Sequence, residues 1–551
     1  MKKIKLNIAI LFAVICFFSC KKDLDINNTN NPTPESATTE PGILSLAQGS
    51  IYVNGFYNLK YSDRFIGGFW AGATAFHEMM GDIIGMDGAS VYANQLGCPN
   101  KIITDDGTVI TNPQSPATQY QLLRTINLNA LQGNNPTYYE WACMYNLIIA
   151  ANTILDLSDK INFSGSNADT KKATVKAWAY WWRGYAYSRI GSLYYAGIKQ
   201  NATYSDQATN GNYISKEAII TEANDNFDKC ASELGAVISI ADYQSILEQL
   251  IPAYLQTGKG GDLSINEWEH NINTMKARNI LVNNIVPDMT TAQWQQILDL
   301  TNNGITSSDL IFTGRTNANG DFLGSTIADK VQSTTSATNT FKLSERWVQD
   351  FTSGDLRKEN NIITLNSGVG IFNQDRGISF NTRYTLLKYG AGLPGVIVYA
   401  NPDAGANEIS LCGTYEENEL MKAEATLHVS DFSAAGIGAA MAYIDNVRNY
   451  QGAGLPVTIA TDKPTAEEEL RKERRIALAF KGLSFYDARR WNIIAPDKSR
   501  TGCVLLSGST GTINTNASIT YGFLDYWDVP DNELVYNPPV TGSAATKNPK
   551  Q

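Results

Sequence analysis

The stretch KATVKAWAYWWRGYAYSRIGSLYY, Lys172–Tyr195, reads as one long helix with two apolar sides. Trp178, Trp181, Trp182 and Tyr185 recur at i, i+3, i+4 and i+7, the spacing that stacks side chains on one helical face. Tyr180, Gly184, Tyr187, Gly191 and Tyr194 line another side. A helix apolar on two sides must lie between neighbours, and Ala177, Gly184 and Ala186 let those neighbours come close. The three tryptophans are therefore expected in the core.

The same period extends outward in both directions. It dominates from about Leu44 to Gly304, with helices expected at Tyr138–Leu157, Ser215–Leu234, Asn271–Ile285 and Thr291–Asn303. Between Leu310 and Ile409 the texture changes to short β-like runs, Thr382–Tyr389 and Val396–Tyr399, set among Gly, Asn and Thr. Helices resume at Asn418–Leu427, Ala434–Arg448 and Thr465–Phe480. The last is expected to open with a capping box from Thr465 to Glu468 and to carry Glu467–Arg471 and Glu468–Lys472 pairs at i, i+4. After Arg500 the chain reads as irregular with short strands. These segments predict a mainly α fold: tetratricopeptide-like helical pairs, long irregular loops and a few short β strands. One domain is expected over 44–551, its scaffold at 44–305 and 415–495, a loop and β insert at 306–410, and an irregular region at 496–551.

Composition narrows the function. The chain of 551 residues has a formal charge of −10, and −13 once Lys2, Lys3 and Lys5 are discounted. Nucleic acid is excluded as a partner, because phosphate binding needs clustered Lys and Arg, and the one dense basic run, Arg471–Arg475, is interleaved with Glu. Only three histidines, His77, His270 and His428, are available for metal or acid–base chemistry, so no metal, cofactor or catalytic group is expected. The 27 Tyr and 10 Trp suit surfaces that are half apolar and half wet, as sugar faces are and as helix packings also are.

The N-terminus carries a targeting pattern. Lys2, Lys3 and Lys5 precede a short apolar stretch, Ile8–Phe18, and Ser19 stands before Cys20. That stretch is too short to span a hydrocarbon core of roughly 30 Å and reads as a signal peptide, residues 1–19, ending at a cysteine. Residues 20–43 then read as a tether, polar and rich in Asn, Thr and Pro. The remaining cysteines, Cys98, Cys143, Cys230, Cys412 and Cys503, are scattered without a CxxC and read mostly as buried thiols, with one disulfide possible.

Three motifs invite chemistry and lack its context. His77-Glu78-Met79-Met80-Gly81 begins like a zinc-protease helix, but Gly81 stands where the second histidine ligand is needed, so a helical His–Glu pair is expected. Gly390-Ala391-Gly392-Leu393-Pro394-Gly395 spells GxGxxG, yet a strand-like run follows it rather than a helix, so it reads as a turn. Carboxylates are many, but no spacing selects a glycosidase pair. Glu473, Arg474, Arg475, Arg489 and Arg490 read as a helix–helix salt-bridge cluster, with docking to a partner protein as the other option.

Several segments, in order, resemble the SusD/RagB family of outer-membrane nutrient-binding lipoproteins. Ser19-Cys20 resembles a lipobox, with Phe17 a departure from the usual aliphatic residue. Ala177–Tyr187 resembles the family's aromatic helix, Glu416–Glu424 with Ala425 and Tyr443–Arg448 resemble its paired helices, and Val529–Pro538 its closing element. Glu468–Trp491, EELRKERRIALAFKGLSFYDARRW, resembles its C-terminal signature. Ala196-Gly197-Ile198 replaces the usual strand after the aromatic helix, and the loops at 85–135 and 306–375 are individual to this chain. The resemblance implies acylation of Cys20 and palmitate-type anchoring in the outer membrane, facing the cell exterior. It also implies a SusC-like TonB-dependent barrel as partner and non-catalytic capture of oligosaccharide or peptide for import. A structural scaffold and, behind it, an extracytoplasmic glycoside hydrolase are the rival readings. For the ligand, rings near the first variable loop are the candidates: Phe65, Phe69, Trp70 and Tyr92, with Asn94, and more weakly Tyr61 and Asp87.

Overall fold

The computed structural model of the chain describes residues 38–53, 56, 69–86, 92–112, 116, 118–206, 209–315, 332–333, 341–364, 370–371, 380–387, 408–507 and 511–550. Within them the fold is mainly α, built from antiparallel helix pairs. The aromatic helix runs Ala168–Leu193 and packs against Tyr138–Ser158 on one side and Lys216–Gly235 on the other. Ile265–Val282, Thr291–Asn302, Tyr415–Val429, Ala434–Tyr450 and Lys463–Ala477 continue the series, each against its neighbour.

The two apolar sides of Ala168–Leu193 have the predicted cause. Trp178, Trp181 and Trp182 are fully buried, and all three pack around Phe312 with ring centroids 4.5–5.7 Å away. On the other side Gly184 sits where a Cβ would come within 2.8 Å of the Phe227 ring. The small residue is what brings the Lys216–Gly235 helix so close.

The helices start and stop for local reasons. Ser215, Ser239 and Ser264 each accept a hydrogen bond from a first-turn backbone N–H, which satisfies a donor the helix itself leaves free. The helix at Ile240–Leu250 was not anticipated. Lys463–Ala477 begins two residues before the expected start: Asp462 is the cap and Thr465 its reciprocal partner. The expected Glu467–Arg471 pair does not form, since Glu467 faces Lys463 at 3.7 Å and Arg471 turns to Glu468 and Asp350. The Glu468–Lys472 pair is present, though long, at 3.7 Å.

Two expectations about the chain's edges change. The folded body reaches into the expected tether: a helix spans Glu40–Gln48, capped by Thr39, and Glu40 bonds Lys171 and Ser164. The region after Arg500 is more regular than its Gly, Thr and Asn content implied, because Arg500–Ser507 and Ile513–Thr520 form an antiparallel hairpin. Its inward residues, Cys503, Leu505, Ala517 and Ile519, are buried; register irregularities around Cys503 break the alternation that would have announced a strand. Thr382–Tyr389 resolves into Phe380–Thr382 and Tyr384–Leu387. Val396–Tyr399 and the Gly390–Gly395 turn lie outside the described residues. Ala196–Ile198, which departs from the family pattern, is nonetheless a strand paired with Tyr213–Ser215.

Candidate ligand-bearing face

The two loop regions read from sequence as individual to this chain are brought together. Ile84–Met86, from the first, pairs antiparallel with Phe341–Leu343, from the second, in the register Ile84↔Leu343 and Met86↔Phe341. A six-stranded antiparallel sheet joins them again, in the order 370–371, 380–382, 500–507, 513–520, 101–103, 109–111. Asp105, in the turn between the last two strands, accepts the backbone N–H groups of Thr515 and Asn516 at 2.8 and 2.9 Å. Segments hundreds of residues apart thus share one face.

A charged knot lies under that face. Asp82 has a left-handed backbone, φ 57°, and its carboxylate accepts four hydrogen bonds: Ser344 Oγ, Arg346 Nε and Nη2, and the Tyr521 hydroxyl, all at 2.6–2.8 Å. Burial pushes its pKa up, but the nearby Arg346, Arg475 and Arg500 outweigh it and hold the carboxyl well below the usual carboxylate range. Arg475 donates to Asp350 and to the carbonyl oxygens of Gly81 and Asp82, and so fixes the turn from which Ile84–Met86 departs.

The His77–Glu78 element is structural, in a way the sequence did not show. The two side chains do not pair with each other. His77 Nε2 lies 2.8 Å from Glu140 Oε2, and Arg189 also donates to Glu140. Burial outweighs the Glu140 carboxylate and keeps the His77 pKa below its ordinary value; in Glu140, burial is overcome by Arg189 and His77, which bring the carboxyl down to about 2. Glu78 accepts the backbone N–H groups of Phe480 and Gly482 at 3.0 and 2.8 Å, and burial pushes its carboxyl up to about 7 against those bonds. The Phe480-Lys481-Gly482 turn, with φ of 66° at Phe480 and 75° at Gly482, is thereby clamped from 400 residues away in sequence.

The C-terminal charges are buried rather than solvated. Glu473 is fully buried and binds Arg357 at 2.5 Å and Arg448 at 2.9 Å. Arg490, also fully buried, is bidentate to Glu424 at 2.6 and 2.7 Å and donates to Asp487 at 2.7 Å, while Arg474 holds the other Asp487 oxygen. Arg489 donates to the carbonyls of Ser192, Val282 and Asp525. Glu473, Arg474, Arg475, Arg489 and Arg490 tie helices to one another inside the protein.

The candidate rings divide. Phe69 and Trp70 are core, at 3% and 0% exposure, which corrects their expected place at the surface. Trp70 donates its indole N–H to the Phe480 carbonyl and meets Phe341 edge-on at 5.3 Å; Phe69 lies under the Arg189 guanidinium. Tyr92 is half-buried against the core, and Asn94 sits in the single turn Ala93–Gln95. Phe65, Tyr61, Asp87 and Cys20 lie outside the described residues. The cysteines Cys143, Cys230, Cys412 and Cys503 are buried free thiols, and Cys98 is partly buried; burial raises Cys143 and Cys412 to about 12. Among the described residues no group of three or more His, Cys, Asp or Glu could hold a metal ion, and no helix is long and apolar enough to cross a membrane.

Two clefts flank the face. One, of about 520 Å³, lies between Gln349 and Asp350, the Glu468–Lys472 turn of the long helix, and the strand entry at Ser499–Val504. The other, of about 410 Å³, is walled by Tyr120, Asp288, Pro496, Phe523 and Asp525. Sequence reading missed both, because each gathers residues from distant segments with no local spacing to betray them.

Comparison with known proteins places this architecture. Residues 417–549 match the SusD family model. No curated protein matches the chain. Among solved structures it is similar to a SusD-like carbohydrate-binding protein from Bacteroides vulgatus (14% identity, 91% of this chain and 96% of that one, TM-score 0.51). It is also similar to a SusD-like carbohydrate-binding protein from Bacteroides fragilis (15% identity, 92% and 99%, TM-score 0.53). A third similar structure was crystallised with a xylogluco-oligosaccharide (12% identity, 92% and 100%, TM-score 0.55). At such identities the structural likeness is one of fold. The C-terminal segment thus matches the SusD family model, and over about nine-tenths of its length the chain has the fold of SusD-like proteins.

Proposed function

We propose that the chain is a non-catalytic capture protein that holds an oligosaccharide at the cell surface and passes it to a SusC-like TonB-dependent barrel in the outer membrane. The observation that carries this reading is the convergence of the two variable segments on one face above an interior of buried, hydrogen-bonded ion pairs. Function grafted on a fold resides in such variable loops, while the scaffold positions them. Two similar structures are described as carbohydrate-binding and a third holds an oligosaccharide, which supports a saccharide over a peptide. The buried acids argue in the same direction. Glu78, Asp82, Glu140, Glu424, Glu473 and Asp487 are each engaged by named donors inside the protein, so none stands ready as a hydrolytic acid or base.

Acylation at Cys20 would place the protein on the membrane, with more than one chain needed for lasting attachment. The test is a mild-detergent pull-down of the tagged protein from outer membranes, with mass spectrometry of what accompanies it. A roughly stoichiometric TonB-dependent barrel is expected. A surface-bound protein recovered without any barrel would remove the import role.

A further inference from the structure

We propose that the cleft between Asp350, Arg471 and Arg500 is a binding subsite for the carboxylate of an acidic sugar residue. This rests on the saccharide-capture reading and narrows it. The cleft, about 520 Å³, is of the size that holds a ligand unit. Five cationic side chains line it against two carboxylates, in a chain whose net charge is −10.

Two of the five are held by short hydrogen bonds: Arg346 is bidentate to Asp82, and Arg471 is bidentate to Glu468 while reaching Asp350 at 2.8 Å. Lys472 and Lys498 pair with Glu468 and Asp497 at 3.7 and 3.4 Å. Among the guanidinium groups Arg500 differs. Its guanidinium approaches Asp82 only at 3.6 Å and Asp350 only at 3.8 Å, and it makes no hydrogen bond among the described residues. Asp82 cannot improve on this, since its four acceptor positions are filled by Ser344, Arg346 and Tyr521. Arg500 is 22% exposed and lines the cleft. A fork of that geometry matches a carboxylate with two parallel hydrogen bonds. Trp491, part-exposed on the cleft wall, supplies the apolar face on which sugar C–H groups pack. A guanidinium with only long ion pairs, on the same cleft wall as an indole, is the combination that a uronate needs and a neutral sugar does not.

The test compares two uronate oligosaccharides, a trigalacturonate and a glucuronate-containing tetrasaccharide, each with its carboxyl-reduced counterpart, by calorimetric titration of the full chain in low salt. At least one acid is expected to bind about tenfold or more tighter than its reduced form, a preference of the size one charge-assisted pair gives. Arg500→Gln should erase that preference and Arg500→Lys should retain part of it. Both variants should fold, because Asp82 and Asp350 keep their shorter-range partners. The proposal is overturned if the wild type prefers neither acid, or if Arg500→Gln keeps the preference. Binding of the reduced sugars that persists in Arg500→Gln would leave saccharide capture standing while the subsite falls; a wild type that binds none of the four, nor any member of a neutral glycan panel, would sink both.

Discussion

Replacing Arg490 by Met tests whether the buried charges hold the C-terminal helices together. Arg490 is 0% exposed and makes three hydrogen bonds of 2.6–2.7 Å, two to Glu424 and one to Asp487. Without it, Glu424, 2% exposed, keeps only the Trp491 indole at 3.3 Å, while Asp487 keeps Arg474. Breaking one side of a buried pair costs about 3–5 kcal/mol, because the other charge is left inside without compensation. Burial then favours protonated Glu424, now without the guanidinium that lowered its pKa, so the loss should be smaller at pH 5 than at pH 8. Glu424→Met should cost a similar amount. The double variant leaves Asp487 with Arg474 as a neutral pair, and its loss should fall well short of the sum of the two, at about 1–2 kcal/mol below wild type. The assay is urea unfolding followed by tryptophan fluorescence, with the midpoint shift read at constant slope. Strictly additive losses would refute the reasoning, since two independent solvated charges behave that way.

Other outcomes follow from the same structure. Glu78→Gln should flatten the pH dependence of stability: the folded carboxyl, raised from 4.5 to about 7, favours its protonated form, so wild-type stability is greatest below 4.5 and falls as pH rises through 7. The variant should gain up to about 3 kcal/mol relative to wild type between pH 5 and pH 8, seen as converging melting curves. Gly184→Val should cost about 1–3 kcal/mol of stability by overpacking, read as a lower unfolding midpoint, because a Cβ there meets Phe227 at 2.8 Å and the Ala223 carbonyl at 3.1 Å. Cys20→Ala should move the protein from the membrane to the soluble fraction, as fractionation and immunoblotting would show. A reducing agent should leave the melting temperature unchanged, since Cys143, Cys230, Cys412 and Cys503 are buried free thiols.

What could be read from sequence was what has a period. The tryptophan spacing placed Ala168–Leu193 between neighbours, and the small residues named the side of closest approach. The acidic–basic signature at Glu468–Trp491 announced bridging, but not that Glu473, Arg474 and Arg490 would be inside, since burial depends on partners such as Arg357 and Glu424 that lie far off in sequence. The same limit hid the 500–520 hairpin, whose register irregularities break the alternation, and the role of Glu78, whose ligands are backbone N–H groups of a distant turn. Trp70 and Phe69 show the opposite failure: a ring beside a variable loop looks the same in sequence whether it faces solvent or Phe341 and Phe56.

The pairing of Ile84–Met86 with Phe341–Leu343 runs through the main chain, and main-chain bonds are indifferent to the side chains that ride on them. A lineage can therefore rewrite the amino acids beyond either strand while both loops keep their address on the molecule. The converse is a constraint on engineering. A recognition loop borrowed from a relative will arrive in the right place only if its partner strand across the ladder travels with it, so the two segments are best exchanged as a single cassette.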